Sequence, residues 1–66
     1  MKGPLTKPTV KLIGEDGNAF SIMGSVKKAL RQAGADQEYI DRYLNAATSG
    51  DYDHLLVVSM KYVDVE

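Results

Sequence analysis

Asn18 to Gly34, NAFSIMGSVKKALRQAG, carries the clearest helical pattern in the chain, and the other elements are arranged around it. Ala19, Ile22, Met23, Val26, Leu30 and Ala33 recur at three- and four-residue steps, which gathers them on one stripe of a helix. Phe20 and Ala29 flank the stripe, and Ser21, Ser25, Lys27, Lys28, Arg31 and Gln32 fall on the other side. Asn18 is a favoured N-cap, and Gly34 suits the left-handed residue that closes a helix. Gly24 lies inside this helix at a cost of about 0.5–1 kcal/mol relative to alanine, which predicts close approach by another element on that side.

Working towards the C-terminus, Asp36 is the next N-cap. Tyr39, Ile40, Tyr43, Leu44 and Ala47 form the apolar stripe of a second helix over Gln37–Thr48. The short link between the two helices predicts an αα-hairpin or a sharp corner. Gly50 ends the second helix and Asp51 caps a third. The last stretch is ambiguous, because helical spacing of Tyr52, Leu55, Leu56, Ser59, Met60 and Val63 competes with the β preference of Val57, Val58, Tyr62, Val63 and Val65. The cap at Asp51, with Asp53 beside it, favours a helix from Tyr52 to about Lys61 and then a short strand, Tyr62 to Val65.

Towards the N-terminus, Gly14–Gly17 (GEDG) is a turn that places Glu15 and Asp16 where the helix macrodipole favours negative charge. Thr9–Ile13 (TVKLI) reads as a short strand. Residues 1–8 hold both prolines and form a loose or extended arm. The expected architecture is therefore α+β and mainly helical. It comprises an arm at residues 1–8 and one small domain at 9–66, with an N-terminal strand, three helices and a C-terminal strand that pairs with the first.

Sixty-six residues without cysteine leave no disulfide or thiolate metal site, and one histidine cannot build a structural zinc centre. A domain of this size buries only about 60% of its unfolded surface, so it needs good helix packing or self-association. Eight basic residues face nine acidic ones for a net charge of −1, a balance that argues against a phosphate-driven nucleic-acid binder. The longest apolar run, Leu55-Leu56-Val57-Val58, is far short of a membrane span. The arm has no apolar core of a signal peptide, and the expected location is the cytoplasm.

Three patterns invite a chemical reading. Ile13, Gly14, Gly17 and Phe20 match the spacing of the KH loop that clamps a nucleic-acid backbone. The intervening Glu15-Asp16 would repel phosphate, however, and residues 1–13 cannot supply the strand and helix that the module requires. Asp51 and Asp53 begin like a calcium loop. Leu55, Leu56 and Tyr62 then occupy positions that need an oxygen ligand, glycine and glutamate, so helix capping explains both aspartates. His54 near Asp51 and Asp53 is a conceivable general base, but no serine lies in a nucleophile-like context. No catalytic residue, metal or cofactor is expected.

Tyrosine and arginine are enriched in protein interfaces, which makes Tyr39, Arg42 and Tyr43 on the second helix a candidate contact face for another protein or a homodimer. The EDG and GDYDH loops add Glu15, Asp16, Tyr52 and His54. An alternative nucleic-acid surface is the basic strip Lys27, Lys28 and Arg31.

Val10–Phe20 (VKLIGEDGNAF), Val26–Gly34 (VKKALRQAG) and Ser49–Leu56 with Met60–Val65 (SGDYDHLL, MKYVDV) together resemble a group of short proteins carried by phages and other mobile elements of bacteria. No activity or binding residue is known for that group, so none carries over. The resemblance implies an intracellular setting and a role as a small adaptor or a modulator of a host protein.

Overall fold

The computed structural model describes residues 1–11 and 18–66. Along the chain run β1 (Thr9–Val10), α1 (Ala19–Gln32), α2 (Gln37–Ala47), α3 (Tyr52–Tyr62) and β2 (Asp64–Val65). The mainly helical α+β architecture expected from the sequence is the one observed. Among the expectations that fall outside the described residues are the GEDG turn, the KH-like loop and the Leu12–Ile13 end of the first strand.

All three N-caps work as their side chains suggest. Asn18 accepts from the Phe20 amide at 2.8 Å, Asp36 from the Tyr39 amide at 2.9 Å and Asp51 from the His54 amide at 2.9 Å. Each bond satisfies a donor that the first helical turn leaves without a partner. At the end of α1 the chain leaves through Gly34, whose φ of +100° is left-handed. The Ala35 amide donates to Leu30 O at 3.0 Å and the Gly34 amide to Arg31 O at 3.1 Å, the two bonds of a Schellman closure. Ala35 and Leu30 are both buried, so the closure also fixes the corner between α1 and α2.

The core is one cluster fed by all three helices, by Val10 of β1 and by Val63 between α3 and β2. Val26, Leu30, Ile40, Tyr43 and Val63 are completely enclosed, with Val10, Ile22, Leu55 and Val58 around them. The stripe expected on α1 is the buried one, and so is that on α2. Tyr43 is consequently an interior residue and not part of a contact face. The Ile40/Tyr43/Ala47 side is the one that α2 turns inward, and Ser59 on α3 meets the Tyr43 hydroxyl at 2.7 Å. That bond removes the penalty of burying two hydroxyls. The Tyr62 ring stands edge-on to both Tyr43 (centroids 5.1 Å apart) and Tyr39 (5.6 Å), giving a three-ring cluster at the edge of the core.

The strands pair in parallel, Thr9 opposite Asp64 and Val10 opposite Val65. Parallel partners require a long crossover, and here α1, α2 and α3 all lie within it. The Asp64 amide donates to Pro8 O and the Glu66 amide to Val10 O, each at 2.9 Å. β2 is shorter than expected because Tyr62 stays in α3, where its ring completes the aromatic cluster.

Of the two alternatives for the N-terminal arm, the loose one is set aside, because the arm is tied to the helices. Lys2 bonds Asp36 through both its amide (2.7 Å to Oδ2) and its carbonyl (2.9 Å from the Asp36 amide), and the Leu5 amide donates to Ala33 O at 2.9 Å. Gly3 lies against the Tyr39 ring so closely that a Cβ there would sit 3.1 Å from Cε2. One expectation needs correction: Gly24 is exposed, and among the described residues a Cβ added to it meets nothing within 4 Å, so no close approach by them explains it.

Candidate functional site

A concavity lies where the first turns of α1 face the corner between α2 and α3. Ala19 and Met23 form one wall, Ala47 and Thr48 the floor, and Gly50, Asp51, Tyr52 and Leu55 the other wall, around an open groove of about 270 Å³. Small residues at Ala19 and Ala47 create it, because alanine leaves the space that a leucine would fill. Small-molecule sites are usually closed and of about 300–1,000 Å³. A groove below that range and open to solvent suits one inserted apolar side chain better than a whole ligand.

The α2–α3 corner that shapes this groove is held by polar bonds. The His54 imidazole places Nε2 2.9 Å from Ala46 O and donates to it, and the Ser49 hydroxyl donates to the same carbonyl at 2.7 Å. Thr48 Oγ1 donates to Leu44 O at 2.8 Å. These three side chains add second bonds to Leu44 O and Ala46 O, which already accept from the Thr48 amide (3.0 Å) and the Ser49 amide (3.3 Å). His54 lies so flat on Gly50 that a Cβ there would fall 2.7 Å from its Cγ. The ring is thus a helix cap. Asp51 spends Oδ1 on the His54 backbone amide, not on the imidazole.

The remaining sequence candidates are spread over the surface. Tyr52 is 42% exposed in the groove wall. Tyr39 is half-buried beneath the arm, and Arg42 is exposed on the outer side of α2. Because Tyr43 is enclosed, the expected Tyr39/Arg42/Tyr43 face does not exist as a continuous surface. Glu15 and Asp16 lie outside the described residues. Among the described residues no group of three His, Asp or Glu side chains is placed to hold a metal ion, and no helix is long and apolar enough to cross a membrane.

The basic strip is exposed, but its members differ. Arg31 donates to Gln37 Oε1, and Gln37 Nε2 donates to Asp41 Oδ1 at 2.7 Å, which ties that guanidinium to α2. Among the described residues Lys27 and Lys28 have no carboxylate within salt-bridge distance. Two free ammonium groups and one committed guanidinium fall well short of the roughly 6–10 phosphate contacts of a strong electrostatic binder.

Sequence reasoning missed the most exposed aromatic group. Phe20 is 81% exposed on the first turn of α1, next to the groove residue Ala19. Its signal was its offset from the apolar stripe, which a helical pattern alone reads as a flank. No family model, no curated protein and no solved structure matches this chain.

Proposed function

We propose that this chain is a non-catalytic protein-interaction module, acting in the bacterial cytoplasm as an adaptor or modulator of a host protein for a phage or mobile element. The setting rests on the resemblance of the GEDGNAF and SGDYDHLL stretches to short proteins of such elements. The contact surface is the groove between α1 and the α2–α3 corner, with Phe20 beside it. The observation that carries this reading is an open apolar groove next to a phenylalanine that is 81% exposed in a chain with so small a core. Covering a phenylalanine side chain is worth about 1.5–3 kcal/mol, so leaving it in water is a standing loss that a partner would recover. The partner contributes one apolar side chain to the groove and a surface that covers Phe20.

The test is affinity capture from bacterial lysate with the tagged protein and its Phe20→Ser and Tyr52→Ser variants, with and without nuclease. The expected result is a host protein that survives nuclease on the wild-type chain and is lost from both variants. Identical capture by the variants would refute the groove. Capture that disappears with nuclease, and with the triple change of Lys27, Lys28 and Arg31 to glutamate, would replace this reading by the nucleic-acid one.

A further inference from the structure

α3 carries apolar side chains on its outer side as well as its inner one. Leu55, Val58 and Ser59 face the core, yet Val57 and Met60 point outward at 53% and 59% exposure. The charges on this outer strip are arranged with a definite symmetry. Asp53 stands four residues before Val57 and Lys61 four residues after it, so both flank Val57 on the same face. Both are exposed, and among the described residues neither is in an ion pair.

From this arrangement we infer that α3 pairs with α3 of a second copy of the chain, antiparallel, about a two-fold axis through Val57. In that geometry Asp53 meets Lys61 of the second copy, and Lys61 meets Asp53 of the second copy, while Val57 packs on its own symmetry mate with Met60 beside it. A parallel pair would set Asp53 against Asp53 and Lys61 against Lys61. The charges therefore select the antiparallel arrangement, and a self-complementary patch is what a two-fold interface requires. The partial charges of the two helix ends also oppose each other favourably in that orientation.

Size sets the strength. The eleven residues of α3 span roughly 16 Å, too little to supply the roughly 800 Å² per partner of a standard interface. The dimer is therefore weak, with a dissociation constant of about 10 µM to 1 mM. This pairing does not depend on the groove, which is lined from α1, the α2–α3 corner and the first turns of α3.

Charge exchange tests it. Sedimentation equilibrium is run from about 10 µM to about 2 mM, bracketing the expected dissociation constant, on the wild type, Asp53→Lys, Lys61→Asp and a 1:1 mixture of the two variants. Neither residue is a helix cap, and far-UV circular dichroism checks that each variant is folded. The wild type is expected to approach the mass of two chains. Each variant should dimerise about tenfold more weakly, since it trades two opposite-charge contacts for two like-charge ones. The mixture should regain wild-type association, because every contact across the two-fold is again between opposite charges. As the chain has no cysteine, Val57→Cys gives a second readout: it should oxidise to a disulfide-linked dimer much faster than Phe20→Cys. A wild type that stays monomeric throughout, variants that dimerise like the wild type, a mixture that does not recover, or equal oxidation at the two positions would each overturn the pairing.

Discussion

Replacing Tyr43 by phenylalanine removes one oxygen from the centre of the molecule and leaves the Ser59 hydroxyl, itself completely buried, without its 2.7 Å partner. Stranding a buried hydroxyl costs about 1–3 kcal/mol. The figure belongs at the lower end, about 1–2 kcal/mol, because a serine within a helix can turn its proton to a carbonyl of the preceding turn. For a domain of this size that is a fall of roughly 4–16 °C in Tm, at about 4–8 °C per kcal/mol. Changing Ser59 to alanine as well removes both hydroxyls together. The double variant should recover most of the loss, since no unpaired polar atom then remains.

Alkaline pH supplies an independent check. Burial pushes the Tyr43 phenol above its ordinary range, an effect that the bond with Ser59 only partly offsets. A raised folded pKa stabilises the protein fully below the unfolded value near 10 and is lost as pH rises through the folded value. Wild-type stability should therefore fall above about pH 10, by at most about 1.4 kcal/mol per pH unit from this group, whereas Tyr43→Phe lacks that component. Urea denaturation followed by circular dichroism at pH 7 and pH 11 measures both effects. The two proteins should differ clearly at pH 7 and converge at pH 11. Equal stability at pH 7, or parallel alkaline losses, would refute the reasoning.

Gly24→Ala should stabilise the protein by about 0.5–1 kcal/mol, read as a higher urea midpoint at unchanged slope, because the added methyl meets none of the described residues within 4 Å on an exposed helix face. Asp36→Ala should lower the urea midpoint through loss of the α2 cap, and it also releases the arm from its bond with Lys2. The Asp36 carboxyl is held below its ordinary pKa chiefly by the Tyr39 amide. Its stabilisation is therefore present above the ordinary carboxylate pKa and is lost as pH falls through the lowered value. An acid titration monitored by circular dichroism should show a shallower loss in Asp36→Ala than in the wild type.

How much of the site was legible follows the range of the interactions involved. Tyr52 and His54 could be named from the GDYDH loop, but their roles could not. One lines a groove and the other caps α2 through Ala46, eight residues away. Met23 looked like an ordinary core position, yet it borders the groove because the opposing residue of α2 is only an alanine. Tyr39 and Tyr43 read alike as one turn of one helix. They part company because Ser59, far along the chain, offers its hydroxyl to the second and not to the first.

Features governed by contacts within about four residues could be read from the chain alone. The apolar stripes of α1 and α2, the caps at Asn18, Asp36 and Asp51 and the left-handed Gly34 are local matters of backbone satisfaction and helical period. Tertiary structure alone decided the parallel sense of β1 and β2, the strapping of the arm to Asp36, the burial of Tyr43 and the groove beside Phe20. Each of those joins residues distant in the chain, and their relative positions are set by how three helices pack around one small core. A periodic pattern says which side of a helix is apolar. Only packing says how much of that side is covered.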